Sequence, residues 1–269
     1  MRVVGVYREA EFSPGKVAAD AAILDAALAL LASRGAKVAA LSPAQFMRAE
    51  RDGLADVVLA MCQSEAALEH LATAQRRGAL VINPVHAIRN CYRDRLGAVL
   101  EAAGVAVPPG RLIDTHGFVW SDLDGLALER GVFVKRGDLH AMVADDVRRA
   151  CSRAEIEAFL SDFARRGVKK AYLQQAVEGR VVKFYGVSET YFSIAPAGFE
   201  LSSVLRGRLP QAAADAARTL ELQVWGGDAV VDRDDFRIID FNDWPSFQTV
   251  RTPAAAAIAR RVLALMAGR

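Results

Sequence analysis

The feature that most constrains this chain is the alternation that fills its first 82 residues. Four short apolar runs, at 3–7, 37–41, 56–61 and 79–82, are separated by segments whose apolar residues recur at helical spacing. Strands joined through helices pair in parallel, and a parallel sheet must be covered by helices on both faces. The punctuation agrees. A helix over 18–33 stops at Gly35, a C-terminal cap. Ser42 and Pro43 supply an N-cap and first-turn proline for a short helix to about Glu50, and Ser64 caps a helix running to Arg77 before Gly78. In such sheets ligands sit beyond the carboxyl ends of the strands. The loop 8–16, with Ser13, Pro14, Gly15 and Lys16, is therefore a candidate substrate edge. No GxGxxG follows the first strand, so a dinucleotide fingerprint is absent.

The pattern changes after Asn83-Pro84. A helix over 92–103 ends at Gly104, and VAVPPGRLI leads into a strand. Strands then dominate, at 132–135, 171–177, 181–187, 229–231 and 236–241. Helices interrupt them at 153–166, where Ser152 and Glu155 form a capping box, and at 211–221 and 253–267. Hairpin-like strands with segregated helices read as α+β. The expectation is an α/β part over 1–84 followed by an α+β part over 85–269, without internal repeats.

Composition sets the outer limits. With 269 residues, 52% of them hydrophobic and 25% charged, the chain has ample material for a core. A net charge of +2 does not call for nucleic acid or an anionic membrane. The doubled arginines, such as Arg148/Arg149 and Arg165/Arg166, read as solvated residues near helix ends. Cys62, Cys91 and Cys151 are odd in number and widely spaced, which implies a reduced compartment rather than a disulfide scaffold. The four histidines are scattered, so no zinc site is legible. MRVVGVYREAEF turns charged too soon for a signal peptide, and AAILDAALALLA is broken by Asp25. A soluble, cytoplasmic protein is expected.

Three segments carry chemistry. In 225–247, WGGDAVVDRDDFRIIDFNDWPSF, Asp228 opens one strand, and Asp240 and Asn242 close the next on a shared face. A short turn between strands brings Asp228 near them. Two carboxylates and an amide oxygen make a hard oxygen site of the kind Mg²⁺ uses when it also holds phosphates. The plainer alternative is that these residues end strands and cap turns. In VFVKRG, 132–137, Lys135 ends an apolar strand, either as a phosphate contact or as a snorkelling edge lysine. In AYLQQAVEGRVVKFYGV, 171–187, a tight Glu178-Gly179 turn joins two strands, and the backbone at 175–177 can serve an adenine edge. Lys183 lies inside an apolar strand and needs an anion or a wet cleft.

The order of these signals resembles the ATP-grasp superfamily over nearly the whole chain. The resemblance implies a Rossmann-like N-terminal (pre-ATP-grasp) domain, 1–84, followed by an ATP-grasp fold, 85–269. PVHAIRNCYRDR at 84–95 resembles the segment before the first ATP-binding strand. KRGDLHAM, VVKFYGVSE and IIDFNDWPSF are similar to inositol tris/tetrakisphosphate kinases and, to a lesser degree, to the alpha-L-glutamate ligases. By this resemblance Arg95 and Lys135 contact the phosphates of ATP. Gln174, Gln175, Ala176 and Val177 grip adenine, and Asp228, Asp240 and Asn242 hold Mg²⁺. Lys183 faces the γ-phosphate or substrate; with Arg206 it makes the catalytic pair. His140 and Arg206 are the substrate contacts, and Arg206 and Arg208 in the loop 201–210 suit an anionic small molecule. Four positions depart from the pattern. Arg95 replaces a lysine, the glycine-rich loop shrinks to Gly137 followed by Asp138-Leu139, and serines stand for glycines at 188 and 246. The implied activity is that of a Mg-ATP-dependent ligase forming an acyl phosphate for attack by an amine or thiol. The alternatives are a small-molecule kinase and a nucleotide-binding protein without turnover. No nucleic-acid or membrane partner is expected, and homodimerisation is left open.

Overall fold

The computed structural model describes residues 1–49, 55–138, 143–196 and 198–269. The opening alternation folds as a four-stranded parallel sheet in the order β2-β1-β3-β4, with β1 (Arg2–Val6), β2 (Lys37–Leu41), β3 (Val57–Ala60) and β4 (Leu80–Ile82). Helices α1 (Val17–Ala32), α2 (Pro43–Arg48) and α3 (Glu65–Arg76) cover it. Ser42 and Gln45 close a reciprocal capping box at α2, and the Ser64 hydroxyl accepts the Ala67 N–H at α3. Both faces are buried at the central strands β1 and β3, as parallel pairing requires, while the edge strand β2 is exposed. Val3, Val57 and Leu59 join one core, and Val4, Val58 and Ala60 join another with Phe46 and Leu68.

The first of these cores also contains Ala254, Ile258 and Val262 of the last helix, α8 (Arg251–Ala267), which packs along α1. The chain thus returns to its own beginning to finish the first unit. Asn83 fastens the junction. Its carbonyl oxygen accepts the N–H groups of Gln223 and Val224 at 2.7 and 2.9 Å, and its amide donates to the Val224 carbonyl at 2.6 Å.

Two antiparallel sheets follow. One has the order β5-β8-β6-β7, from β5 (Gly110–Asp114), β6 (Val132–Arg136), β7 (Val147–Ala150) and β8 (Lys170–Gln175). The other has the order β10-β9-β11-β12, from β9 (Arg180–Val187), β10 (Tyr191–Ala195), β11 (Val224–Asp232) and β12 (Asp235–Asp243). Short helices α4 (Val85–Asn90) and α5 (Arg93–Ala102) lead in from the parallel unit, and α6 (Arg153–Arg165) and α7 (Ser203–Thr219) back the sheets.

Two expectations need correction. The region 201–210 is mostly helix rather than loop: α7 starts at Ser203, capped by the Ser202 hydroxyl, and runs through Pro210. Proline breaks helices by removing one N–H, here the partner of the Arg206 carbonyl, but packing of Leu205, Leu209 and Ala213 holds the helix through it. Arg148 and Arg149 lie in strand β7, not at a helix end. Arg148 stacks 4.4 Å above the Phe159 ring and donates to Asp162 at 2.5 Å, so tertiary contacts hold it there.

Candidate functional site

The candidate residues meet where the two antiparallel sheets face each other. On β9, β11 and β12 they form one cross-strand row: Lys183 is paired in register with Asp228, and Asp228 with Asp240. Lys183 Nζ donates to Asp228 Oδ1 at 2.8 Å. Plain alternation would put Asp240 and Asn242 on the same face as Phe236 and Ile238, which are buried in the core. The register instead slips between Asp228 and Ala229, leaving Ile239 as an extra residue on β12. This bulge reverses the phase, so Phe241 and Asp243 turn inward and Asp240 and Asn242 turn to the cleft.

The bulge also frees the Ile239 carbonyl from the ladder. Lys135, at the end of β6, donates to it at 3.2 Å and to Gln174 Oε1 at 2.7 Å. Lys135 is only 7% exposed and both of these acceptors are neutral. Burial accordingly lowers its pKa from the ordinary lysine value to about 8, against the pull of Asp240 and with a push from Arg93. Asp228 moves the other way: burial raises its carboxyl above the usual range, and Asp240 adds to the rise while Lys183 opposes it. Burial disfavours the charge on Lys183, yet the Asp228 carboxylate outweighs it and holds that ammonium above its ordinary value. The cluster therefore carries closely spaced charges of both signs on hard oxygen and nitrogen atoms.

Arg93, rather than Arg95, enters this site. Arg93 is buried, donates to the Arg136 carbonyl at 3.3 Å and lies 3.9 Å from Asp240, whereas Arg95 is exposed on α5. A sequence signal for this existed: Arg93, Leu96 and Leu100 share the helix face that packs inward, and Arg95 is off it. The side chain of Gln174 reaches Lys135. That of Gln175 is committed to Ala127 and Gly131, and the Ala176 N–H is bonded to the Gly131 carbonyl. Asp138 is held by the Arg136 guanidinium through two bonds of 2.7 and 2.9 Å. Arg206 does not line the cleft; it is exposed on α7 and donates to the Leu201 carbonyl at 3.0 Å. His140 lies outside the described residues.

Arg93, Lys135, Tyr172, Gln174, Ile239 and Asp240 bound a narrow crevice of about 20 Å³ between the sheets. The Tyr172 ring fills much of this space, lying against Gly97 and Gly110 so closely that neither position admits a Cβ. From Asp240 the site opens into a cleft of about 630 Å³, which contains Lys183, Asp228 and Asn242. Its far side is the loop after β1, with Phe12, Ser13 and Lys16, together with Ser246 from the turn after β12. Arg8 ties the two sides together. Its guanidinium donates to the Met61 carbonyl at 3.2 Å, to Asp20 at 3.2 Å, and to the Asp243 and Trp244 carbonyls at 3.2 and 2.8 Å.

Two carboxylates and an amide oxygen on adjacent strands suit a small divalent cation that also keeps water and phosphate ligands. Among the described residues no trio of acidic, histidine or cysteine side chains forms a metal cage, so such an ion would rely on outside ligands. No helix of the described residues is long and apolar enough to cross a membrane.

No protein-family model matches the chain, and no curated protein sequence matches it. Solved structures do. A D-alanine–D-alanine ligase from Bacillus anthracis is similar over 98% of both chains, with a TM-score of 0.77 and 12% identity. A RimK-domain ATP-grasp protein from Sphaerobacter thermophilus is similar over 98% of this chain and 100% of its own, with a TM-score of 0.72 and 17% identity. A D-cycloserine synthetase covers 97% of this chain and 100% of its own at a TM-score of 0.67 and 18% identity. At such identities the likeness speaks for architecture, and that architecture, a parallel α/β unit followed by two antiparallel sheets facing across a cleft, is the ATP-grasp fold.

Proposed function

We propose that the chain is a Mg-ATP-dependent ligase that activates a carboxylate as an acyl phosphate for attack by an amine or thiol. The observation that carries this reading is the placement of Lys135 and Arg93 opposite Asp228, Asp240 and Asn242, at the point where the crevice meets the cleft. Support comes from the fold, whose solved neighbours include two proteins described as ligases or synthetases.

In this reading the base enters the crevice beside Tyr172 and Gln174. The crevice has room for little more than a water, so the sheets part or Tyr172 swings aside on entry. Lys135 meets the phosphates as a point charge, and Arg93 meets them with a planar fork. A Mg²⁺ ion held by Asp228, Asp240 and Asn242 would neutralise charge on the β- and γ-phosphates. Lys183 gives up part of its bond to Asp228 and faces the transferring group or the carboxylate. The substrate carboxylate oxygen attacks the γ-phosphorus and ADP leaves. The nucleophile then attacks the acyl carbon, phosphate leaves, and the proton of the amine or thiol passes to solvent. The wide cleft leaves room for both organic partners beside the phosphates.

Hydroxylamine tests the reaction class. With ATP, Mg²⁺ and pools of amino acids, dicarboxylates and inositol phosphates, a ligase yields ADP, free phosphate and hydroxamate, the last only from carboxylates. Transfer of labelled phosphate onto a hydroxyl, with no hydroxamate from any pool, would establish the kinase alternative instead.

A further inference from the structure

The end of β12 that carries the candidate metal ligands is fastened to the parallel unit by one side chain, Arg8. Every nitrogen of its guanidinium donates, each to a different element. Nε reaches the Met61 carbonyl just beyond β3, Nη1 reaches Asp20 in α1, and Nη2 reaches the Asp243 and Trp244 carbonyls. The side chain is only 11% exposed, so water competes little for these bonds.

The residues it grips directly follow Asn242. Of the other candidate ligands, Asp228 is oriented by Lys183, and Asp240 accepts the Phe241 N–H at 3.0 Å. Asn242 has no such support. Its side chain makes no hydrogen bond among the described residues, and its cross-strand partner is Gly226, which offers no side chain to pack on. The placement of its amide oxygen therefore depends on the main chain. Beyond Asn242 that main chain is held largely from outside the sheet. Trp244 has a φ of +41°, a left-handed conformation that a bulky residue keeps only where its surroundings fix it. Arg8 holds its carbonyl at 2.8 Å, its indole donates to the Ile82 carbonyl at 2.9 Å, and its N–H meets the Val224 carbonyl at 3.3 Å. Gln63 adds a bond of 2.9 Å to the Asp243 carboxylate.

We infer that Arg8 is a positioning residue for the metal site: by gripping the main chain at Asp243 and Trp244, it sets where the Asn242 oxygen stands relative to Asp228 and Asp240. This rests on the reading of those three residues as Mg²⁺ ligands and adds a residue that touches neither metal nor nucleotide. The same guanidinium holds Asp20, which accepts the Ser13 hydroxyl at 2.5 Å, so the loop across the cleft shares its fastening with the metal ligands. Lysine is no substitute. Its compact ammonium keeps the charge beside Asp20 but cannot span three elements as a planar fork does.

Binding of a non-hydrolysable ATP analogue to the full chain should be titrated calorimetrically across a series of Mg²⁺ concentrations, in wild type, Arg8→Lys and Arg8→Gln. The half-saturating Mg²⁺ concentration should rise roughly tenfold or more in both variants, the usual effect of losing a group that orients a metal ligand. Affinity for the analogue without metal should stay within about twofold, because Lys135, Arg93 and the crevice lie on other elements and act as independent sites. An unchanged Mg²⁺ requirement in folded Arg8→Lys overturns the inference. So does an equal loss of metal-free affinity, which is what a merely structural role would produce. Should neither variant fold, Trp244→Phe removes only the indole bond at the same turn; it must raise the Mg²⁺ requirement in the same direction, and no rise overturns the inference. A wild-type protein indifferent to Mg²⁺ would strike the metal reading itself and this inference with it, whereas a wild-type dependence carried unchanged into Arg8→Lys strikes the role of Arg8 alone.

Discussion

Lys135 shows how one buried charge can be read through pH. Burial brings its pKa to about 8, so the cation is the main form only below that pH. In the unfolded chain a lysine titrates near 10.4, so between these values the unfolded state holds the extra proton. The cost of burying the charge therefore opposes folding fully below pH 8 and fades as pH rises toward the unfolded value. In the proposed reading nucleotide binding uses the cation, and so runs the opposite way. Affinity for an ATP analogue should be level up to about pH 8 and then fall, by up to roughly tenfold per pH unit. Lys135→Arg, which stays charged, should remove the break. Calorimetric titrations from pH 6.5 to 9.5 on both proteins would measure this, and a flat wild-type profile would separate Lys135 from the phosphates.

Among the elements, β11 and β12 do the positioning. Their hairpin carries all three candidate metal ligands, and the turn after it must fold back closely over β11. Gly226 permits that approach: a Cβ there would lie 2.7 Å from Pro245 Cγ and 2.8 Å from the Phe184 carbonyl oxygen. Gly226→Ala should therefore destabilise by about 1–3 kcal/mol, an overpacking cost, and shift the Pro245-Ser246 edge of the cleft. A denaturant melt at unchanged m-value reads the first effect. Wild-type stability in this variant would mean that the turn moves freely and does not fix the metal ligands.

The whole molecule is less divisible than its two patterns suggest. Residues 1–84 contain a complete parallel sheet, but one of its cores is finished by Ala254, Ile258 and Val262 of α8. Asn83 and Trp244 add hydrogen bonds across the same junction, the Trp244 indole donating to the Ile82 carbonyl at 2.9 Å. A fragment of residues 1–84 should thus lack a cooperative thermal transition and bind hydrophobic dyes, because the apolar face of α1 would be bare. Adding α8 as a separate peptide should restore part of the structure. Cooperative melting of the fragment alone, followed by circular dichroism, would show that the parallel unit folds independently.

Local signals already determined much of this. Alternating apolar runs fixed the parallel sheet, capping residues such as Ser42 and Ser64 marked helix starts, and IIDFNDWPSF marked Asp240 and Asn242 as candidate hard-oxygen ligands, because each signal acts over a few residues. Tertiary structure decided the rest. Only the bulge at Ile239 turns Asp240 and Asn242 away from the core, and simple alternation has no means of announcing an extra residue. Packing chose Arg93 over Arg95, took α7 through Pro210, and used Arg136 to neutralise Asp138. Asp20 and Asp243 stand 223 positions apart and look ordinary in the sequence. Arg8, just after the first strand, joins them by donating to the Asp20 carboxylate and to the Asp243 carbonyl at the end of the last strand. Short-range spacing can specify an element, but which charges share a buried space depends on contacts that chain folding alone brings together.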